Sequence, residues 1–107
     1  MSLTRPERAE VKIRVHDGDA FSISGELDLV SEATFRQHVL AAARPGATIR
    51  LDVSDLAFMD SSGLNVLVQI LRTIGPDGRL SIEQPNPFVR RVLGVAGLDR
   101  HPSLEIV

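Results

Sequence analysis

The sequence predicts an α/β domain: a mixed sheet of about five strands with helices mainly on one face. Three observations carry this. Every candidate strand alternates apolar and polar residues, whereas parallel strands covered on both faces read as continuous apolar runs. Between the candidate strands lie three stretches with helical spacing or helix-boundary residues. The order is ββαβαβαβ, with three successive strand–helix–strand crossovers. Crossovers of one hand stack the helices on one side and lay the strands down in chain order, a β/α superhelical turn rather than a doubly wound sheet.

Residues 1–10 are polar and aperiodic, and a flexible lead-in is expected there; a single domain is expected over 11–107. Val11, Ile13 and Val15 alternate with Lys12 and Arg14, which reads as a first strand. Asp17-Gly18 predicts a two-residue hairpin turn. Phe21 and Ile23, alternating with Ser22 and Ser24, supply the antiparallel partner. "SGELDLVS" breaks the alternation, and Ser31 is placed to cap a helix running to about Ala43, where Arg44-Pro45-Gly46 stops it. Ile49, Leu51 and Val53 mark a third strand. After Asp60, the positions Leu64, Leu67, Val68 and Leu71 follow the i, i+3, i+4, i+7 rule of a helix. "GPDG" at 75–78 is a turn, and Leu80 and Ile82 alternate through a fourth strand. Asn86-Pro87 is a cap followed by proline at the first helical position. That helix is expected to end near Gly97, leaving Leu104, Ile106 and Val107 for the last strand.

At 107 residues the chain can bury one core but not two. Twelve basic and fourteen acidic residues give a net charge of −2, which argues against general affinity for nucleic acid or an anionic membrane. The chain has no cysteine, so it offers no disulfide, thiolate ligand or cysteine nucleophile. The first ten residues hold no apolar run of the secretory kind, and no segment approaches membrane-spanning length. A cytoplasmic, monomeric protein is expected.

Familiar chemistries are mostly missing. Lys12 is the only lysine and sits in a strand, so no phosphate-binding P-loop is present. His16, His38 and His101 do not stand at metal-ligand spacings, and neither metal nor cofactor is expected. Ser61 opens a helix after a strand, with Asp99 and His101 later in the chain. A strained nucleophile elbow needs glycines two before and two after the serine, but Met59 and Gly63 flank it, so the pattern is half present. No enzyme is expected. Glu26 and Asp28, two apart in "GELD", suit turn and cap chemistry or an acidic patch for a partner.

"MDSSG" at 59–63 remains. In one reading Asp60 caps the helix and Ser61 and Ser62 tolerate its first turn. In the other, the wheel places both hydroxyls with Asn65, Gln69 and Arg72, away from Leu64, Leu67 and Leu71. A phosphoryl group is accommodated at a helix N-terminus and would present roughly −1.5 to −2 charge to a docking partner. The residues alone do not choose.

"SGELDLVSEATF", "LDVSDLAFMDSSGLNVLV" and "NPFVRRVLGVAGL", in that order, resemble the STAS domain family, and within it the stand-alone bacterial anti-sigma factor antagonists. The likeness spans Val11 to Val107, and the D-S-S-G block is its most specific part. It implies a STAS-like β/α superhelix and a partner-switching function. In the family, the serine after the aspartate is phosphorylated by an anti-sigma factor that is also a GHKL-type serine kinase. The unmodified antagonist binds that kinase and frees a sigma factor, and a PP2C-type phosphatase resets the modified form. Carried over, Ser61 is the phospho-acceptor and Asp60 its acidic neighbour. Gly63 allows close approach of a partner backbone, and Ser62 belongs to the same contact block. Glu26 and Asp28 border the contact surface. Asn65 stands where relatives often carry a small residue, which bears on partner choice. Many relatives also continue into a further C-terminal helix, whereas this sequence ends at Val107. The other role the resemblance implies is a scaffold or assembly subunit, stressosome-like or part of a lipid-transport complex, without a serine switch.

Overall fold

The structure is a computed structural model and describes residues 10–107. All but the last residue of the expected lead-in therefore lies outside the described residues. Five strands form one sheet in chain order: β1 (Lys12–His16), β2 (Ala20–Leu27), β3 (Thr48–Met59), β4 (Arg79–Glu83) and β5 (Leu104–Ile106). β1 runs antiparallel to β2, and the other neighbours are parallel. Helices α1 (Glu32–Val39), α2 (Ser61–Ile74) and α3 (Pro87–Val95) make the three crossovers. The order ββαβαβαβ and the mixed sheet are those read from the sequence.

One face of β2 is fully apolar: Phe21, Ile23 and Leu27 are buried, with Gly25 between them. They join Phe35 and Val39 of α1, Leu67 and Ile70 of α2, and Val89 and Leu93 of α3 in a single core. The opposite face is polar and open at the β1 side, where Lys12, Arg14, Ser22, Ser24 and Asp52 line a shallow cavity. Gly25 has a φ of +93°, and a Cβ there would lie 2.1 Å from the Glu10 carbonyl oxygen. No side chain fits beneath that crossing backbone.

Several local expectations change. The hairpin loop has three residues, because His16 pairs with Ala20; Asp17 and Gly18 both take positive φ within it. Val15 is 56% exposed, beyond the cover of the helices. β2 runs on through "GEL" to Leu27. α1 ends at Val39 and tightens into a 3₁₀ turn over Leu40–Ala42. β4 does not alternate, since Leu80, Ser81 and Ile82 are all buried. Ser31 does not cap α1: its backbone is already helical and its side chain makes no cap bond. Instead its buried hydroxyl donates to the Glu26 carbonyl at 2.7 Å and accepts from the Asp28 amide at 2.9 Å.

β3 departs furthest from expectation. Between the pairs Ser22–Asp52 and Leu27–Met59, β3 advances seven residues while β2 advances five. Two irregularities absorb the difference, as β-bulges do. Core positions in this half fall at Val53, Leu56 and Met59. Phe58, turned out of the core row, stacks on Phe88 of α3 with ring centroids 5.3 Å apart. Asn86 anchors the same junction: its Oδ1 accepts from the Val89 amide at 2.7 Å, and its Nδ2 donates to the Leu56 carbonyl at 3.0 Å.

Candidate functional site

The C-terminal ends of β2 and β3 lie side by side, and both strands turn into helices there. Leu27 pairs with Met59, and the Asp60 amide donates to the Leu27 carbonyl at 3.1 Å. Neighbouring strands are about 5 Å apart, so Asp28 and Asp60, the residues after that pair, stand on adjacent strand ends. Each carboxylate organises the turn that follows it. Asp28 Oδ1 accepts from the amides of Val30 and Ser31 at 3.0 and 3.1 Å. Asp60 Oδ1 accepts from the Ser62 amide at 2.8 Å, the bond expected of a cap at the start of α2.

That cap leaves Ser61 at the first helical position with its side chain exposed, while Ser62 is half-buried. Asn65, one turn on, is exposed on the same side. The helix is rotated relative to the expected wheel. Its buried face is Gly63, Val66, Leu67, Ile70, Leu71 and Ile74, and Leu64 and Val68 are only half-buried. Gly63 points inward. A Cβ there would come within 2.9 Å of Met59 Cγ and 3.1 Å of Leu27 Cβ. Its missing side chain thus serves an approach within this chain, and that accounts for the glycine without a partner backbone. Glu26 sits beside Phe58 in the sheet register, half-buried and on the opposite side from Leu27. It flanks the site from the sheet's open face.

Two features escaped the sequence reading. Leu29 and Val30, at the tip of the Asp28 turn, are 77% and 76% exposed. The turn built by Asp28 and Ser31 holds these apolar side chains out beside the α2 start. On the other side, Phe88 and Val95 of α3 are exposed large apolar residues. The only available signal was an apolar pair directly after a turn acid; nothing in the spacing distinguished it from core.

A hydrolase triad is not assembled. The Ser103 hydroxyl donates to the Gly75 carbonyl, and the Ser103 amide donates to His101 Nδ1. This ties His101 to the C-terminal end of α2. Ser61 is at the other end of that fourteen-residue helix, about 20 Å away at 1.5 Å per residue. Among the described residues, no group of three or more His, Cys, Asp or Glu is placed to hold a metal ion. No helix among them is long and apolar enough to cross a membrane.

The chain-ordered mixed sheet, the D-S-S-G helix start and the paired acidic turns define a STAS domain. A family model described as "Mlab, STAS domain" matches residues 14–107, and the chain belongs to this family. Similar proteins include the anti-sigma-B factor antagonist of Bacillus subtilis, 29% identical over 82% of this chain and 83% of that protein. The anti-sigma-F factor antagonist RsfB of Mycobacterium tuberculosis is 29% identical over 92% of this chain and 82% of its own length. Among solved structures, an anti-sigma factor antagonist from Mycobacterium paratuberculosis superposes with a TM-score of 0.74 at 28% identity. That match covers 96% of this chain and 90% of the other.

Proposed function

We propose that this chain is an anti-sigma factor antagonist of the cytoplasm, a binding protein and not an enzyme, switched by phosphorylation of Ser61. The unmodified form binds an anti-sigma factor that is also a GHKL-type serine kinase, and so releases a sigma factor. Modification by that kinase ends the binding, and a PP2C-type phosphatase restores it. The observation that carries the reading is the exposed Ser61 hydroxyl at the first position of α2, directly after the Asp60 cap. The names of the similar proteins support the choice of partner. The chemistry supports the switch as well. A phosphoryl group at a helix N-terminus is electrostatically favourable, so the fold tolerates it. Its charge then faces outward, where only a partner meets it.

The test is incubation with the organism's anti-sigma factor kinase and ATP, followed by peptide mass mapping. Label on Ser61 in the wild type, none in Ser61→Ala, and retained label in Ser62→Ala are expected. Label confined to Ser62 overturns the assignment. No label on any serine, with binding intact, favours a STAS assembly subunit without a switch.

A further inference from the structure

On the open, polar face of the sheet, the shallow cavity over β1, β2 and β3 has a volume of about 290 Å³. Two rows of side chains cross it. Arg14 stands opposite Ser22 and Ser22 beside Asp52; Lys12 stands opposite Ser24 and Ser24 beside Asp55. All six residues line the cavity. Each row therefore runs cation, hydroxyl, carboxylate, with the cations on β1 and the acids on β3. The second row depends on a bulge. From Ser22 to Ser24 β2 advances two residues, while β3 advances three, from Asp52 to Asp55. Simple alternation would set Ser54 beside Ser24; the extra residue re-aims a second carboxylate into the cavity. The charged walls do not neutralise each other. Among the described residues, Lys12, Arg14 and Asp55 form no ion pair, because β2 lies between the walls and two strand spacings hold them about 10 Å apart. His16 ends the cationic wall, its Nε2 2.8 Å from Ser22 Oγ.

We propose that this cavity binds a small zwitterion, a carboxylate and an ammonium group joined by a short aliphatic chain. The carboxylate lies on Arg14 and Lys12, the ammonium on Asp52 and Asp55, and the serine hydroxyls between them donate or accept as the ligand requires. A simple anion would meet the cations of β1 but also the acids of β3, and a simple cation would meet the reverse. Only a ligand with both charges complements both walls. The volume lies at the small end of ligand pockets, which suits a metabolite and not a folded segment. A charge-assisted contact takes about 2.8 Å at each wall, so about 4–5 Å of the 10 Å gap remains between the ligand's own charges. That is the span of an ω-amino acid with about three methylenes, and more than an α-amino acid provides. The cavity is on the polar face and Ser61 on a helix packed against the other, so this site is separate from the proposed switch.

The test is titration of the ¹⁵N-labelled protein with 4-aminobutyrate, and separately with butyrate, n-butylamine and glycine. Saturable amide shifts at Arg14, Ser22, Ser24 and Asp55 are expected, with 4-aminobutyrate bound at least about tenfold tighter than each of the other three. Arg14→Gln and Asp55→Asn, both at exposed positions, should melt with the wild type and each weaken binding by about tenfold or more. Butyrate or n-butylamine binding as tightly as 4-aminobutyrate means that one wall acts alone, and overturns the zwitterion. Equal binding of glycine does so too, because its charges stand too close together to reach both walls. No saturable shifts in the cavity, or undiminished affinity in either variant, overturns the site itself.

Discussion

Ser61 is accessible because its neighbour does the capping. Had a serine stood at the cap position, its hydroxyl would be engaged by a helix amide; Asp60 fills that role, accepting from the Ser62 amide at 2.8 Å. Asp60→Ala should therefore cost about 1 kcal/mol, the usual worth of a cap, read by urea denaturation. Its phosphorylation rate should fall more than this loss accounts for if the aspartate also faces the kinase. Ser61→Asp sizes the switch. One added charge facing a partner carboxylate at ~6 Å, with effective dielectric about 20, costs roughly 3 kcal/mol, which is on the order of a hundredfold in affinity. Calorimetric titration with the anti-sigma factor checks it, and a change below about threefold means no partner carboxylate stands nearby. Gly63→Ala sets two effects against each other. Alanine gains up to about 1 kcal/mol of helix propensity, while overpacking against Leu27 Cβ at 3.1 Å and Met59 Cγ at 2.9 Å costs roughly 1–3 kcal/mol. Because Leu27 Cβ cannot move without its strand, net destabilisation is expected, visible as a lower Tm. At this scale Asp60, Ser61 and the Asn86-Pro87 start were legible, because capping is written in adjacent residues. The inward role of Gly63 was not, because the contact it permits comes from Leu27, far away in sequence.

Among the elements, β3 shows where periodicity misleads. Its first half alternates, with Ile49, Leu51 and Val53 inward, and was read as a strand. Its second half buries Val53, Leu56 and Met59, a spacing of three that a strand does not produce without bulges. α2 misleads in a milder way. It has more apolar residues than one face can hold, so a stripe through Leu64 and Val68 fits as well as the true one through Val66, Leu67, Ile70 and Leu71. The elements that α2 packs against, α1, β3 and β4, decide the rotation. The bulged half of β3 also carries the α3 junction. Asn86→Ala removes both the cap to Val89 and the tie to Leu56, and a loss of about 1–2 kcal/mol is expected. Hydrogen exchange should localise the loosening to the first turn of α3. Uniform protection across α3 would show that the Phe58–Phe88 stack holds the junction alone.

For the molecule as a whole, a carboxylate on the open polar face ties stability to pH. The Ser54 amide, donating to Asp52 Oδ1 at 2.9 Å, is the main reason that the Asp52 carboxyl is held below its ordinary value of 3.8. A depressed carboxyl contributes stability above the unfolded pKa and loses it as pH falls through the folded one. Stability should thus begin to fall below about pH 4, and Asp52→Asn should flatten that limb by lowering stability at neutral pH while leaving the acid end almost unchanged, as thermal melts across pH 2–7 would report. The order of the strands has another consequence, for synthesis. Each parallel pair joins segments a single crossover apart, from Leu80–Leu104 to Leu27–Met59, and no strand has to be threaded between two already paired. The sheet can accrete at one edge as the chain leaves the ribosome, with units added from the N-terminal side onward. Ser61 and its cap are complete once β3 and α2 have emerged, but α3 follows later. A stalled or clipped chain ending before Asn86 would present Ser61 and its cap without α3 beside them: under the proposed switch, it would offer the serine to a kinase with part of the surrounding surface still missing.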